Sequence, residues 1–282
     1  MAREVADWLQ GHPGLRVHTM SRIPALCNTV EKAASHVSEP GDPDYIELQQ
    51  SFKDVQELWY IIRVLGDRLV SDPFVRPFVR AAANDCRLPE DAGKNTVGRD
   101  AQFELFVGAV GCRIGFDVKN LGEGQPDWLM ATPSHCWSVE TKRPKSAKKV
   151  ERITKKAAGQ IDHSLVGGVI IVDVSTIGGP ENRRLRTCVS DDELGRARER
   201  MGEAIRGNEL PRLKEAIGKA PVGLIIFHDF VIRPAGTSSN GGSVPWGLLG
   251  MWWSYHLESP DSQHYARYQE FWELFGSGLP DL

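Results

Sequence analysis

The chain is short of the features that mark several common protein classes. Its five cysteines, Cys27, Cys86, Cys112, Cys136 and Cys188, are odd in number and widely spaced. None forms a Cys-x-x-Cys pair, which speaks against zinc or dithiol redox chemistry and for buried or incidental thiols. No run approaches the roughly 20 apolar residues that span a bilayer. The first residues also lack a basic stretch followed by a continuous apolar segment. The expectation is a cytoplasmic protein with no membrane association. Internal repeats, long low-complexity tracts and a phosphate-binding glycine loop are absent, as are a helix-turn-helix and a zinc module to read bases. No convincing Ser/His/Asp or Cys/His arrangement stands out.

An excess of positive charge is also missing. The net charge of -3 excludes a uniformly basic nucleic-acid binder. Its distribution is nonetheless uneven. From Lys142 to Lys156 there are eight cations (Lys142, Arg143, Lys145, Lys148, Lys149, Arg152, Lys155, Lys156) and one carboxylate, Glu151, a local +7 that leaves -10 for the rest. Such a local field can attract a polyanion even on an acidic protein, although a solvated helix face is the blander reading.

What is present is an ordinary globular composition, 41% hydrophobic and 25% charged over 282 residues. That length fits one main core with an appendage. The expected fold class is α/β, a mixed central sheet flanked by helices (92-282), carrying a helical N-terminal extension (1-91). Within the extension, Val5 to Leu9 starts a short helix, and apolar residues recur at helical period from Tyr45 to Leu69. A further helix follows Asp72-Pro73 through Phe78 to Asn84, interrupted or kinked at Pro77. A helical cap, a dimerisation surface and a substrate-recognition element are all open as roles for this segment.

Asn95 or Thr96 can cap the next helix, which runs to about Gly111 with Phe103, Phe106, Val107 and Val110 as its apolar stripe. Glu104 borders that stripe, where an acid needs a partner or a ligand. Alternatively, Asp100, Glu104, Gly108 and Gly111 share a face that meets water. A short strand over Ile114 to Val118 follows.

Pro126 to Lys142 then reads as a β-hairpin: Trp128, Leu129 and Met130, a turn at Thr132-Pro133-Ser134, and a strand ending in Glu140-Thr141-Lys142. Alternation places Glu140 and Lys142 on one face of the strand, with Thr141 on the other. Asp127, at the head of the paired strand, can join them. Two carboxylates and a lysine at one strand end suit a hard metal ion with a fixed cation beside it.

Ala147 to Ile161 is an amphipathic helix with Val150, Ile153, Ala157 and Ile161 inward. Lys149, Arg152, Lys156, Gln160 and His163 share another face, which suits a phosphate backbone better than scattered charge would. Val169 to Val174 reads as a buried strand, as does Val222 to Phe227. Helices are expected from about Asp191 to Ile205 and from Pro211 to Ile217, and a strand from Leu248 to Tyr255. Pro234 to Pro245 reads as a loop. The aromatic residues Trp246, Trp252, Trp253, Tyr255, Phe271 and Trp272 fit core packing better than base stacking.

Pro126-Asp127, twelve intervening residues and Glu140-x-Lys142 resemble the signature of the PD-(D/E)XK, or restriction-endonuclease-like, nuclease superfamily. The surrounding order is similar over about residues 96 to 175: an acidic helix, the hairpin, a helix with Gln160 and a buried strand. The resemblance implies a restriction-endonuclease-like core and a metal-dependent DNA endonuclease of the restriction or phage-defence kind. It implies Asp127, Glu140 and the Thr141 carbonyl as ligands for Mg²⁺, with Mn²⁺ as a substitute, and Glu104 as a direct, water-mediated or second-metal ligand. Lys142 would orient or help deprotonate the attacking water and stabilise the scissile phosphate, and Gln160 would hold the hairpin or a phosphate. Arg143, Lys145, Lys149, Arg152 and Lys156 are the expected DNA contacts. A homodimer and a partner protein in a defence system are further expectations. A repair or recombination nuclease, an exonuclease, an RNase and a non-catalytic nucleic-acid-binding subunit on the same scaffold remain the alternatives.

Overall fold

The hydrophobic periodicity resolves into a mixed α/β structure, seen in a computed structural model. It describes residues 1-17, 21-33, 45-85, 97-120, 122, 125-144, 146-161, 167-175, 187-188, 191-218, 222-232, 247-255 and 263-277. Among the described residues, five α-helices come first: α1 (Ala2–Gly11), α2 (Arg22–Ala33), α3 (Tyr45–Leu65), α4 (Arg68–Ser71) and α5 (Arg76–Asn84), with a 3-10 turn (Pro13–Leu15) after α1. Pro77 does not kink α5. It lies in the first turn, where no intrahelical N–H partner is needed and its fixed φ suits the helix start.

Helix α6 (Val97–Ile114) leads into β1 (Asp117–Lys119), β2 (Trp128–Ala131) and β3 (Cys136–Lys142). The expected strand from Ile114 therefore begins later, because α6 keeps its last turn through Ile114. Asn95 and Thr96 lie outside the described residues. Beyond the hairpin come α7 (Ala147–Ile161), β4 (Gly167–Asp173), β5 (Thr187–Cys188), α8 (Asp191–Ala204), a π-helical turn (Ile205–Glu209), α9 (Leu210–Ile217), β6 (Val222–Ile232), β7 (Gly247–Tyr255) and α10 (Gln263–Ser277). Trp246, His163 and the stretch 234-245 lie outside the described residues.

Among the described residues, seven strands form one sheet. Its centre, β3, β4 and β6, is parallel, and β1 and β2 extend it antiparallel beyond β3. On β6, β4 and the short β5 share one edge, and β7 pairs antiparallel on the other. Parallel pairing of β3 with β4 requires a crossover, which α7 supplies. All seven residues of β4 are buried, as a strand covered on both faces requires.

The two faces have separate cores. Trp137, Val139, Val169, Ile171 and Phe227 pack with α6, α10 and the N-terminal helices in one apolar cluster. Ile170, Val172, Leu224 and Ile226 pack with α7 and α9 in a second. The helices of residues 1-85 thus share a continuous core with the sheet. Trp252 and Phe271 belong to that core: Trp252 lies 4.4 Å from Phe227 and Phe271 5.6 Å from Trp137, centroid to centroid. Core packing, not a stacking surface, accounts for both. Among the described residues, no helix is long and apolar enough to cross a membrane.

Candidate metal and phosphodiester site

The seat of the hairpin is decided by two glycines of α6. A Cβ on Gly108 would come within 2.5 Å of the Trp128 indole, and one on Gly111 within 2.9 Å of Met130 Sδ. These distances are below any ordinary carbon contact, so both glycines are notches into which alternate residues of β2 descend. The face of Asp100, Glu104, Gly108 and Gly111 therefore meets the sheet along most of its length, and only Asp100 is exposed. Trp128 is fully buried, and its Nε1 donates to the Glu104 carbonyl oxygen at 2.8 Å. Packing and a satisfied indole N–H together bring the head of β2 to Glu104.

Asp127, Glu140 and Lys142 meet at that place. Antiparallel register pairs Trp128 with Val139, so Asp127 falls opposite Glu140. The Asp127 N–H donates to Glu140 Oε2 at 3.1 Å. Asp127 Oδ2 accepts from both the N–H and the hydroxyl of Thr141, each at 2.7 Å. Lys142 Nζ donates to Glu140 Oε1 and lies 3.8 Å from Asp127 Oδ2. Asn120 closes the group, its Nδ2 donating to Glu104 Oε1 at 3.1 Å and to the Asp127 carbonyl at 2.9 Å. Asn120 is a site residue that the sequence did not single out. A polar amide just ahead of a glycine-bearing connection was its only signal.

The electrostatics follow from crowding carboxylates out of water. Burial, reinforced by Asp127, pushes the Glu104 carboxyl up to about 9 despite Lys142. Burial and Asp127 likewise raise Glu140 to about 7, against the opposing pull of Lys142. Burial alone would lower Lys142, but Asp127 and Glu140 outweigh it and raise its pKa. The site is therefore short of positive charge, and among the described residues the Lys142 ammonium is the cation that lies against its carboxylates. Its carboxylate and backbone oxygens are hard donors of the kind Mg²⁺ and Mn²⁺ take, so the residues fit such an ion. They are not gathered as a finished cage. Among the described residues no three His, Cys, Asp or Glu side chains form a metal-binding group.

No protein-family model and no curated protein matches this chain.

The other expected residues are distributed differently. Gln160 is on the last turn of α7, whose Ile161 abuts Gly168 at the start of β4. Glu140 pairs with Ile170, two residues or about 7 Å further along the sheet. Among the described residues, the buried Gln160 Oε1 has no hydrogen-bond partner and no hydrogen bond joins Gln160 to the hairpin. Arg152, Lys155 and Lys156 are exposed and Lys149 half-buried on α7, while Lys145 lies outside the described residues.

Arg143 requires a correction. Expected on the basic surface, it is buried. Because β3 alternates, the residue after Lys142 points to the opposite face, into the N-terminal helices. There Arg143 Nε donates to Asp173 Oδ2 at 2.5 Å, Nη1 to the Arg99 carbonyl at 3.1 Å, and Nη2 to Glu57 Oε1 at 3.1 Å. Its guanidinium carbon stands 4.9 Å from the centroid of the Phe103 ring.

The same network extends inward. Lys53 Nζ lies 3.2 Å from Glu57 Oε1, and Gln102 Nε2 donates to Glu57 Oε2 at 2.6 Å. Arg22 Nη2 pairs with Asp54 Oδ2 at 2.6 Å, and Arg99 Nη2 reaches the same oxygen at 3.5 Å. Burial would raise the Asp54 carboxyl, but Arg22 and Arg99 hold it at about 2. Buried charges of this kind persist only when paired.

Proposed function

We propose that the chain is a metal-dependent phosphodiesterase that cleaves DNA as an endonuclease of the restriction or phage-defence kind. The observation that carries this reading is the convergence of Glu104, Asp127, Glu140 and Lys142 at the point where β2 and β3 meet α6. Asp127 and Glu140, with the Thr141 carbonyl, would hold Mg²⁺ or Mn²⁺, and Glu104 would add a further carboxylate. The chemistry such an ion supplies is a lowered pKa for an attacking water and a counter-charge for the phosphate.

The chain's own residues provide the rest. Lys142 keeps a fixed positive charge beside the carboxylates, where it orients the water and stabilises charge on the scissile phosphate. Asn120 keeps Glu104 and the Asp127 backbone in place from the side. Arg152 and Lys156, exposed on α7, draw in the phosphate backbone.

The test is incubation of the purified protein with supercoiled and linear DNA, with and without Mg²⁺ or Mn²⁺. Cleavage by the wild type with metal, lost in Asp127→Ala, Glu140→Ala and Lys142→Ala variants that remain folded, is the expected result. Cleavage that survives Glu140→Ala, or no cleavage by any form, would falsify the catalytic assignment.

A further inference from the structure

We infer that Arg143 is a positioning residue: anchored in the N-terminal helices, it holds the end of β3 so that Glu140 and Lys142 keep their geometry. This rests on the reading of that hairpin as the phosphodiester site.

Arg143 follows Lys142 directly, at the point where β3 has ended and no strand partner restrains the chain: the register with β4 stops at the pair Lys142 and Val172. A strand end frays unless something holds it. Here one guanidinium ties it to three elements: Glu57 on α3, the Arg99 carbonyl on α6 and Asp173 at the end of β4. Asp173 is itself fixed, accepting from the Ser175 N–H at 2.7 Å. A planar fork with five donors can satisfy these acceptors together, whereas an ammonium can reach only some of them.

Helix α6 is held by the same group. The Phe103 ring lies against the guanidinium, and Phe103 immediately precedes Glu104. Arg143 thus engages two of the three elements that bring the carboxylates together, next to Lys142 at the end of β3 and, through Phe103, next to Glu104 on α6. Its contact with Glu57 spans 86 residues of sequence and passes into the N-terminal helices. Those helices thereby become part of the machinery that aligns the site. A misplacement of about 1 Å at such a site costs up to about a hundredfold in rate.

The test compares Arg143→Lys and Glu57→Gln with Arg22→Lys, a change in the same network that bonds Asp54, Ala82 and Gln102 but not β3. Each full-length protein is measured for thermal unfolding, kcat and KM on DNA, Mn²⁺ binding by calorimetry, and hydrogen exchange of the peptide covering Glu140 to Lys142. At equal folded fraction, Arg143→Lys and Glu57→Gln are expected to lower kcat about ten- to a hundredfold with KM within about twofold. They should also weaken Mn²⁺ binding and speed exchange at β3, while Arg22→Lys changes stability alone. Should Arg143→Lys not fold, Glu57→Gln carries the comparison, since it loosens the anchor without altering β3. Variants indistinguishable from Arg22→Lys in kcat, Mn²⁺ affinity and exchange would overturn the inference. If Glu140→Ala cleaves like wild type, the function itself has failed. If Glu140→Ala is inactive while Arg143→Lys is not, only the positioning role has failed.

Discussion

The carboxylate of Asp127 accepts two hydrogen bonds from one residue, Thr141, through its backbone N–H and its hydroxyl. That pairing latches β2 to β3 at the candidate site, beside the lysine. Thr141→Val keeps the shape but leaves only the backbone bond. A hydrogen bond to a charged group contributes about 1.5 to 3 kcal/mol, so denaturant unfolding should show a loss toward that range, with cleavage reduced. Thr141→Ser should restore both.

The metal-free protein should lose stability as pH rises. Glu104 and Glu140 have folded pKa values of about 9 and about 7, both above the ordinary 4.5. The folded state therefore binds more protons than the unfolded state between these limits, and stability falls with pH across that window. The contribution is fully present below pH 4.5 and lost as pH passes about 7 and then about 9. Chelator-treated protein unfolded at several pH values checks this. Glu104→Gln should flatten the alkaline part of the curve, and Mg²⁺ should raise stability most at high pH, where protons no longer compete for the carboxylates.

Gly108→Ala tests the notch in α6. Its Cβ would collide with the fully buried Trp128, which has no room to retreat. Overpacking of this kind costs about 1 to 3 kcal/mol. Because Trp128 also donates to the Glu104 carbonyl, a drop in activity beyond the drop in folded fraction is expected. Calorimetric melting with parallel cleavage rates separates the two. Helix propensity alone would predict stabilisation, the opposite sign.

The exposed cations of α7 should behave as phosphate contacts. Replacing Arg152 and Lys156 together by Ala should weaken DNA binding and reduce the slope of log K against log salt by up to about 2. Thermal stability should hardly change, since exposed charges contribute little. Arg143→Ala should do the reverse, destabilising the fold with no specific change in salt slope. Fluorescence anisotropy at several salt concentrations distinguishes them.

Much of this arrangement is legible in local pattern. The hairpin from Pro126 to Lys142, the amphipathic α7 and the buried β4 all follow from periodicity and turn residues. Helix α10 does not stand out in that way, although Tyr268, Phe271 and Phe275 recur at helical spacing and are buried. Bulky aromatics at that density read as core without declaring a period. For Glu104 the acid is conspicuous in the sequence, but its surroundings are not decidable there. The glycines beside it look the same in sequence whether they face water or a tryptophan.

Local pattern alone puts Glu140 and Lys142 on one strand face and Asp127 at the head of the partner strand. A two-residue period and a short turn leave little freedom in that respect. Packing between elements is what sets Glu104 beside them through Asn120 and takes Arg143 out of the basic run into a buried network. The first depends on how α6 seats against β2 through the Asn120 bridge, the second on a contact across 86 residues, and a count of charges cannot tell which of them turn inward to meet such a partner.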